Sequence, residues 1–195
     1  MSGDQALDRR AVVAELLRDR GDLLVVTGLG SASYDAMAAG DHPLTYYLWA
    51  AMGSAATVGL GLAAAQPGRP VLVLTGDGEQ LMGFGALATI AVRRPPNLTI
   101  VVLDNLHFGE TGMQPSHTGQ GLALDRVAAA CDFARVDRID RMDALVPLRA
   151  RIHARAGLGF ATVRIAAENQ PRVLPPRDGV LVKNRFRAAL GLAPA

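Results

Sequence analysis

"VLVLTGDGEQLMGFGALATI", residues 71–90, sets a four-residue apolar run against an aspartate held between two glycines, with a second apolar stretch following. An unbroken apolar run of that length bounded by glycine reads as a strand buried on both faces, the mark of a parallel sheet. Gly76 and Gly78 permit tight backbone geometry, and the N–H groups after Gly78, at the start of the next helix, suit a phosphate. Asp77 adds a hard oxygen ligand, and a magnesium ion between that carboxylate and a diphosphate relieves the repulsion of two anions. Taken alone, the same residues fit an ordinary Asp-Gly turn better than a site.

Outward from this stretch, apolar runs of strand length alternate with amphipathic segments of helix length. Strands are expected at 23–27, 71–75, 98–104, 133–136 and 161–165, with helices near 7–19, 52–65, 82–93, 122–130 and 141–156. That rhythm predicts an α/β fold, a mostly parallel sheet with helices on both faces. Three strands run into loops rich in turn-forming or functional chemistry: "VVTGLGSAS", "LVLTGDGEQ" and "VVLDNLHFGETGMQPSHTG". Ligands of open parallel sheets bind beyond the carboxyl ends of the strands, so these loops are the site candidates. After Gly78 come 26 residues and then Asn105, about the length of one helix and a returning strand. Asp77 and Asn105 are thereby expected on one sheet edge, facing one ion. Asp104 as the ligand, or Asn105 as a turn former, satisfies the same spacing. "VVTGLGSAS" has Ser33 where a dinucleotide fingerprint needs its third glycine, which leaves it as a smaller phosphate cradle.

The totals bound the answer. The chain has 195 residues, 50% hydrophobic and 19% charged, which suits one buried domain and suggests apolar surface covered by a partner. Domain boundaries are expected at 1–170, with a proline-rich linker and C-terminal helix over 171–195 that pack on the domain or on a partner. Net charge is +2 and pI about 9.1, but aromatics are 5% and not interleaved with the arginines, against nucleic-acid binding. Cys131 is the single cysteine, against a disulfide framework or a cysteine-ligated metal and in keeping with a reducing cytoplasm. The N-terminal stretch carries charge through its apolar positions and reads as an amphipathic helix, not a signal peptide. Residues 44–65 are apolar, but their Gly, Ala, Ser and Thr argue for a closely packed buried helix over a membrane span.

Gly76-Asp77-Gly78 followed by Asn105, with "YYLWAAMGSAATVGLGLAAA" upstream and "ETGMQPSHTG" downstream, resembles the thiamine diphosphate-dependent enzymes. The likeness covers about 20–166 and is strongest to the beta subunits of two-subunit sulfopyruvate decarboxylases and the C-terminal half of phosphonopyruvate decarboxylase. It implies a three-layer thiamine diphosphate-binding fold and, as cofactors, thiamine diphosphate and Mg2+. It further implies that Asp77, the Asn105 side chain and the His107 carbonyl ligate the metal. The Gly28-Leu29-Gly30 loop, Gly78 and Glu79 would hold the diphosphate, with Thr111 in the cofactor set. Met52 would support the bent cofactor, and the Ala50 carbonyl would accept from its amino group. His117, Glu110 and Gln114 are the catalytic candidates for proton transfer or anion binding. The pair "DN" stands where many relatives have "NN", and "NLHFGETG" differs from both named decarboxylases.

The family's chemistry needs a glutamate from a pyrimidine-binding domain, and Glu79, Glu110 and Glu168 are not in that context. The resemblance therefore implies an alpha subunit carrying that domain, a hetero-oligomer with paired copies, and a small 2-oxo acid substrate converted to an aldehyde and CO2. Two alternatives stand: the beta subunit of a 2-oxoacid oxidoreductase, whose "TGHQP" echoes "TGMQP" here, and a noncatalytic interaction subunit keeping the cofactor fold.

Overall fold

The computed structural model describes residues 6–193. In chain order its elements are α1 (Arg9–Leu16), β1 (Leu24–Thr27), α2 (Ser31–Ala38), β2 (Thr45–Tyr47), α3 (Ala55–Ala65), β3 (Val71–Gly76), α4 (Asp77–Met82), α5 (Ala86–Arg93) and β4 (Leu98–Asp104). There follow the two-residue strands β5 (His107–Phe108) and β6 (Gln114–Pro115), then α6 (Leu124–Ala130), β7 (Arg135–Ile139), α7 (Leu145–His153), β8 (Gly159–Arg164) and α8 (Gly179–Ala189).

Six strands form one parallel sheet in the order β2-β1-β3-β4-β8-β7. Alternate residues of the apolar runs serve opposite faces, which is why the runs are continuous. Leu72 and Leu74 of β3 point to the face covered by α1, α2 and α7, whereas Val71 and Val73 point to the face covered by α3, α5, α6 and α8. Each such fully buried aliphatic side chain contributes about 1.5–3 kcal/mol over leaving it in water. Asp8 starts α1 by accepting from the Ala11 N–H at 2.7 Å, and Asp178 starts α8 by accepting from Val180 and Leu181.

The order in which strands are added reverses between β1 and β3. From β1 the chain moves outward to β2, and from β3 it moves to β4 on the other side. The loops after β1 and β3 therefore part and leave a crevice at their carboxyl ends, where such sheets bind ligands. Pairing of Gly76 with Leu103 puts Asp77, the first residue of α4, and Asp104, the last of β4, at adjacent strand ends.

Several local expectations are corrected. The 44–65 stretch is not one helix: β2 occupies its start, Ala50 and Ala51 take left-handed backbone, and α3 begins only at Ala55. Within α3, Gly59 is required because a Cβ there would sit 2.3 Å from Val73 Cγ2, whereas Gly61 faces open space. The short helix α2 follows the β1 loop directly, and α4 starts at Asp77 itself. The edge strand β7 lies two to three residues beyond 133–136, because its "RVDRI" alternates polar residues. At the other edge α8 docks on β2. Phe186 packs edge-on to Tyr46 at 5.7 Å, Trp49 Nε1 donates to the Pro176 carbonyl at 2.6 Å, and Arg185 pairs with Asp41 at 2.6 Å. Among the described residues no helix is long and apolar enough to cross a membrane.

Candidate functional site

A cavity of about 260 Å3 occupies the crevice. Its lining brings together Leu29, Met52, Asp77, Gly78, Glu79, Asn105, His107, Glu110 and Thr111, nine of the residues singled out in the sequence. Gly28 and Gly30 flank Leu29 in the wall formed after β1. Ala50, Gln114 and His117 are exposed and stand outside the lining.

Asp77, 3% exposed, opens α4. Its Oδ2 accepts from Ser116 Oγ at 2.5 Å and lies 3.1 Å from Thr118 Oγ1, which in turn is 2.8 Å from Asp104 Oδ1 and 2.8 Å from Ser116 Oγ. The two hydroxyls share their two protons between the two carboxyls, and backbone groups add to each: the Leu106 N–H donates to Asp104 Oδ1 at 3.0 Å and Gly78 to Asp77. Burial pushes the Asp77 carboxyl above its ordinary range, the Ser116 hydrogen bond opposes this, and the Asp104 charge raises it further. A cation at this strand end supplies the positive charge that two neighbouring carboxyls, one of them buried, do not get from neutral donors.

Asn105 sits in a tight turn beyond β4. Its Oδ1 accepts from the His107 N–H at 2.9 Å, and His107 Nδ1 lies 2.8 Å from the Asn105 carbonyl. Leu106 between them has φ +63°, a strained conformation for a bulky residue. Close packing holds the turn, since a Cβ at Gly119 would lie 2.5 Å from the Leu106 carbonyl oxygen. Among the described residues no three His, Cys, Asp or Glu cluster as a metal site. A cation here must draw on a carboxylate, an amide and carbonyl oxygens together with its ligand's own oxygens, a donor set that suits magnesium beside a diphosphate.

Glu79 ties the loops from beneath. Its Oε2 accepts from Thr75 Oγ1 at 2.8 Å, and a Cβ at Gly28 would lie 1.6 Å from that same oxygen, so only glycine fits above it. Burial raises the Glu79 carboxyl, and although Thr75 and the nearby N–H groups of Ala55, Gly53 and Leu29 oppose this, Oε1 makes no hydrogen bond. Met52 is 44% exposed at the cavity mouth, and its Cε would lie 3.9 Å from a Cβ at Gly78. Phe108 is closer still to that position, at 3.0 Å, so Gly78 stays accessible only by lacking a side chain.

On the rim, Ser31 Oγ lies 3.4 Å from Glu110 Oε1, and Arg172 holds the other oxygen at 3.0 Å. Gln114 donates to Thr111 at 3.2 Å, and His117 stands edge-on to Phe108 at 6.0 Å. Ser116, Thr118, Arg9 and Asp35 were not singled out in the sequence. The first two flank His117 in "PSHTG", and two hydroxyls spaced to point the same way were the available signal.

Residues 27–171 match the family model described as "Thiamine pyrophosphate enzyme, C-terminal TPP binding domain". The chain is 37% identical over 195 residues to a phosphonopyruvate decarboxylase of Streptomyces viridochromogenes, covering 97% of this chain and 46% of that protein. It is 29% identical over 187 residues to a sulfopyruvate decarboxylase subunit beta of Methanococcus maripaludis, covering 94% of this chain and 98% of that subunit. The chain covers 46% and 40% of two phosphonopyruvate decarboxylases and 47% of a sulfopyruvate decarboxylase, about half the length of each. In fold it is similar to the crystal structure of benzoylformate decarboxylase from Polynucleobacter necessarius, with TM-score 0.71 and 19% identity over 85% of this chain and 34% of that one.

Proposed function

The chain belongs to the thiamine pyrophosphate enzyme family as a C-terminal TPP binding domain, and from that membership we propose that it supplies the metal and diphosphate half of a decarboxylase active site. The substrate is a small anionic 2-oxo acid of the sulfopyruvate or phosphonopyruvate kind, and the products are an aldehyde and CO2. The observation that carries this reading is that the buried Asp77 carboxylate and Asn105 line one cavity, beyond the carboxyl ends of two paired strands where the strand order reverses. Names of relatives at 29–37% identity support the substrate class.

In this reading Asp77, Asn105 and the His107 carbonyl hold Mg2+. Gly78, Glu79 and the Gly28-Leu29-Gly30 loop hold the diphosphate through backbone groups, with Thr111 beside them. Thiamine diphosphate, once bound, supplies the electron sink that lets CO2 leave. Ser116 and Thr118 fix the Asp77 carboxylate before the metal arrives, so little reorganisation is needed. Met52 braces the cofactor's ring, and the left-handed backbone at Ala50 and Ala51 turns the Ala50 carbonyl out of the regular chain path for the amino group. Glu110 on the rim, with Gln114 and His117 farther out, serve the substrate's charge and proton.

An alpha subunit with a pyrimidine-binding domain provides the activating glutamate, in a cytoplasmic hetero-oligomer with paired copies. Met52, Met82 and Phe84, 44%, 67% and 40% exposed, give apolar surface for such a partner. The name "subunit beta" of the Methanococcus relative supports the division. Titration calorimetry of thiamine diphosphate with Mg2+ tests the assignment. Wild type binds only with the metal, Asp77→Ala does not, and equal binding by both refutes the role of Asp77.

A further inference from the structure

The linker that joins β8 to α8 is tied down near both ends. Gln170 Nε2 donates to Asp8 Oδ2 at 2.7 Å, Arg10 donates to the Pro171 carbonyl, and Trp49 Nε1 donates to the Pro176 carbonyl. Between these ties Arg172, one residue beyond the family match, lies over the Tyr34 ring at 5.7 Å and pairs with Glu110 at 3.0 Å. Glu110 belongs to the turn between β5 and β6 and lines the cavity, whereas Arg172 stands outside the lining. The linker reaches the same turn at a second point, since a Cβ at Gly109 would lie 3.9 Å from Asn169 Oδ1.

An exposed ion pair between two freely moving side chains is weak, because ordering both offsets their attraction. Here the aromatic face of Tyr34 and the ties at Gln170 and Pro171 hold the guanidinium in advance, so the ordering falls mainly on Glu110. The contact on the other Glu110 oxygen is Ser31 Oγ at 3.4 Å, a neutral hydroxyl beyond the usual hydrogen-bond range. Arg172 is therefore the group that fixes this carboxylate. We propose that Arg172 is a positioning residue for Glu110: from the linker it holds the carboxylate at the cavity rim, and with it the turn between β5 and β6. This rests on the reading above, in which Glu110 serves the substrate, and extends the working site to the linker.

Two double-mutant cycles on Arg172→Gln and Glu110→Gln test this. Arg172 is 63% exposed, so its replacement leaves the fold intact. The first cycle reads hydrogen exchange by mass spectrometry in the full chain. The Thr111 and Met113 N–H groups donate to the Phe108 carbonyl at 3.3 and 3.0 Å, so loosening the turn speeds their exchange. Arg172→Gln is expected to speed exchange over 109–113 roughly fivefold, and to add nothing once Glu110 is replaced. The second cycle reads CO2 release by the chain reconstituted with an alpha subunit. Arg172→Gln lowers kcat roughly fivefold with KM within about twofold, Arg172→Lys restores most of it, and the loss is absent in the Glu110→Gln background. If Glu110→Gln is inactive, the exchange cycle and the lysine rescue decide. An equal loss of kcat in both backgrounds, or a rise in KM with kcat intact, shows Arg172 meeting the substrate directly and overturns the assignment. Wild-type kcat in Glu110→Gln overturns it as well. Exchange unchanged by Arg172→Gln overturns the assignment alone, whereas no CO2 release by the reconstituted wild type overturns the decarboxylase reading and the catalytic use of Arg172 with it.

Discussion

Replacing Asp77 by asparagine should make the metal-free protein more stable and the metal site useless. Asparagine keeps an acceptor for Ser116 and Thr118 but removes one of two facing carboxylates. Their oxygens lie no farther apart than the Thr118 legs of 3.1 Å and 2.8 Å laid end to end. With both groups ionised, that separation gives a repulsion of about 0.7 kcal/mol at a water-like dielectric and about 3 kcal/mol at an effective value near 20. For a chain of this length the relief raises Tm by about 2–10 °C. The folded carboxyl lies above its ordinary value, so the wild type loses stability as pH rises through that raised value. The advantage of Asp77→Asn therefore shrinks on acidification below the ordinary carboxylate range. Scanning calorimetry at neutral pH, with and without Mg2+ and thiamine diphosphate, reads both effects. Wild type gains Tm with the ligands and Asp77→Asn does not. A variant less stable than wild type, or one that still responds to Mg2+ with the cofactor, would show that Asp77 is a structural hydrogen-bond acceptor and no metal ligand.

Three further outcomes follow from the same geometry. Gly28→Ala places a Cβ 1.6 Å from Glu79 Oε2, evicting a buried carboxyl from its Thr75 hydrogen bond; chemical denaturation should show a loss of about 1–3 kcal/mol, with weaker thiamine diphosphate binding. Met52→Ala removes a half-exposed side chain, so stability should stay within about 0.5 kcal/mol by the same assay, while CO2 release by the reconstituted enzyme falls about tenfold. Burial opposes ionisation of Asp41, but Arg185 and Tyr47 outweigh it and hold the carboxyl below its ordinary value. Its contribution to α8 docking is thus present above the ordinary carboxylate range and disappears as pH falls through the lowered value; Trp49 fluorescence against pH, with Arg185→Ala lacking the transition, checks this.

The sheet was legible because parallel strands covered on both faces must carry continuous apolar runs, and 71–74 and 100–103 are such runs. The pairing of β3 with β4 followed from the 26-residue spacing, which fits one crossover. What escaped the sequence was governed by tertiary packing. "TYY" at β2 is three residues long and gains its strand geometry from β1 beside it. "GSAS" reads as a loop because small residues signal turns, yet it begins α2. The arginines and aspartate of β7 disguise an edge strand whose outer side meets water. At the site, Asp77, Asn105 and Met52 could be singled out by motif, whereas Arg9 could not. Its place in the cavity depends on how α1 lies against α2, 22 residues away along the chain at Ser31.

The central claim is that this chain holds one half of a divided decarboxylase site. The most direct measurement is CO2 release from sulfopyruvate and from phosphonopyruvate, with Mg2+ and thiamine diphosphate, by the purified chain before and after addition of an alpha subunit carrying the pyrimidine-binding domain. The account predicts negligible release from the chain alone and turnover of one of the two acids on mixing, lost again in Asp77→Ala. Full activity from the chain by itself would contradict it.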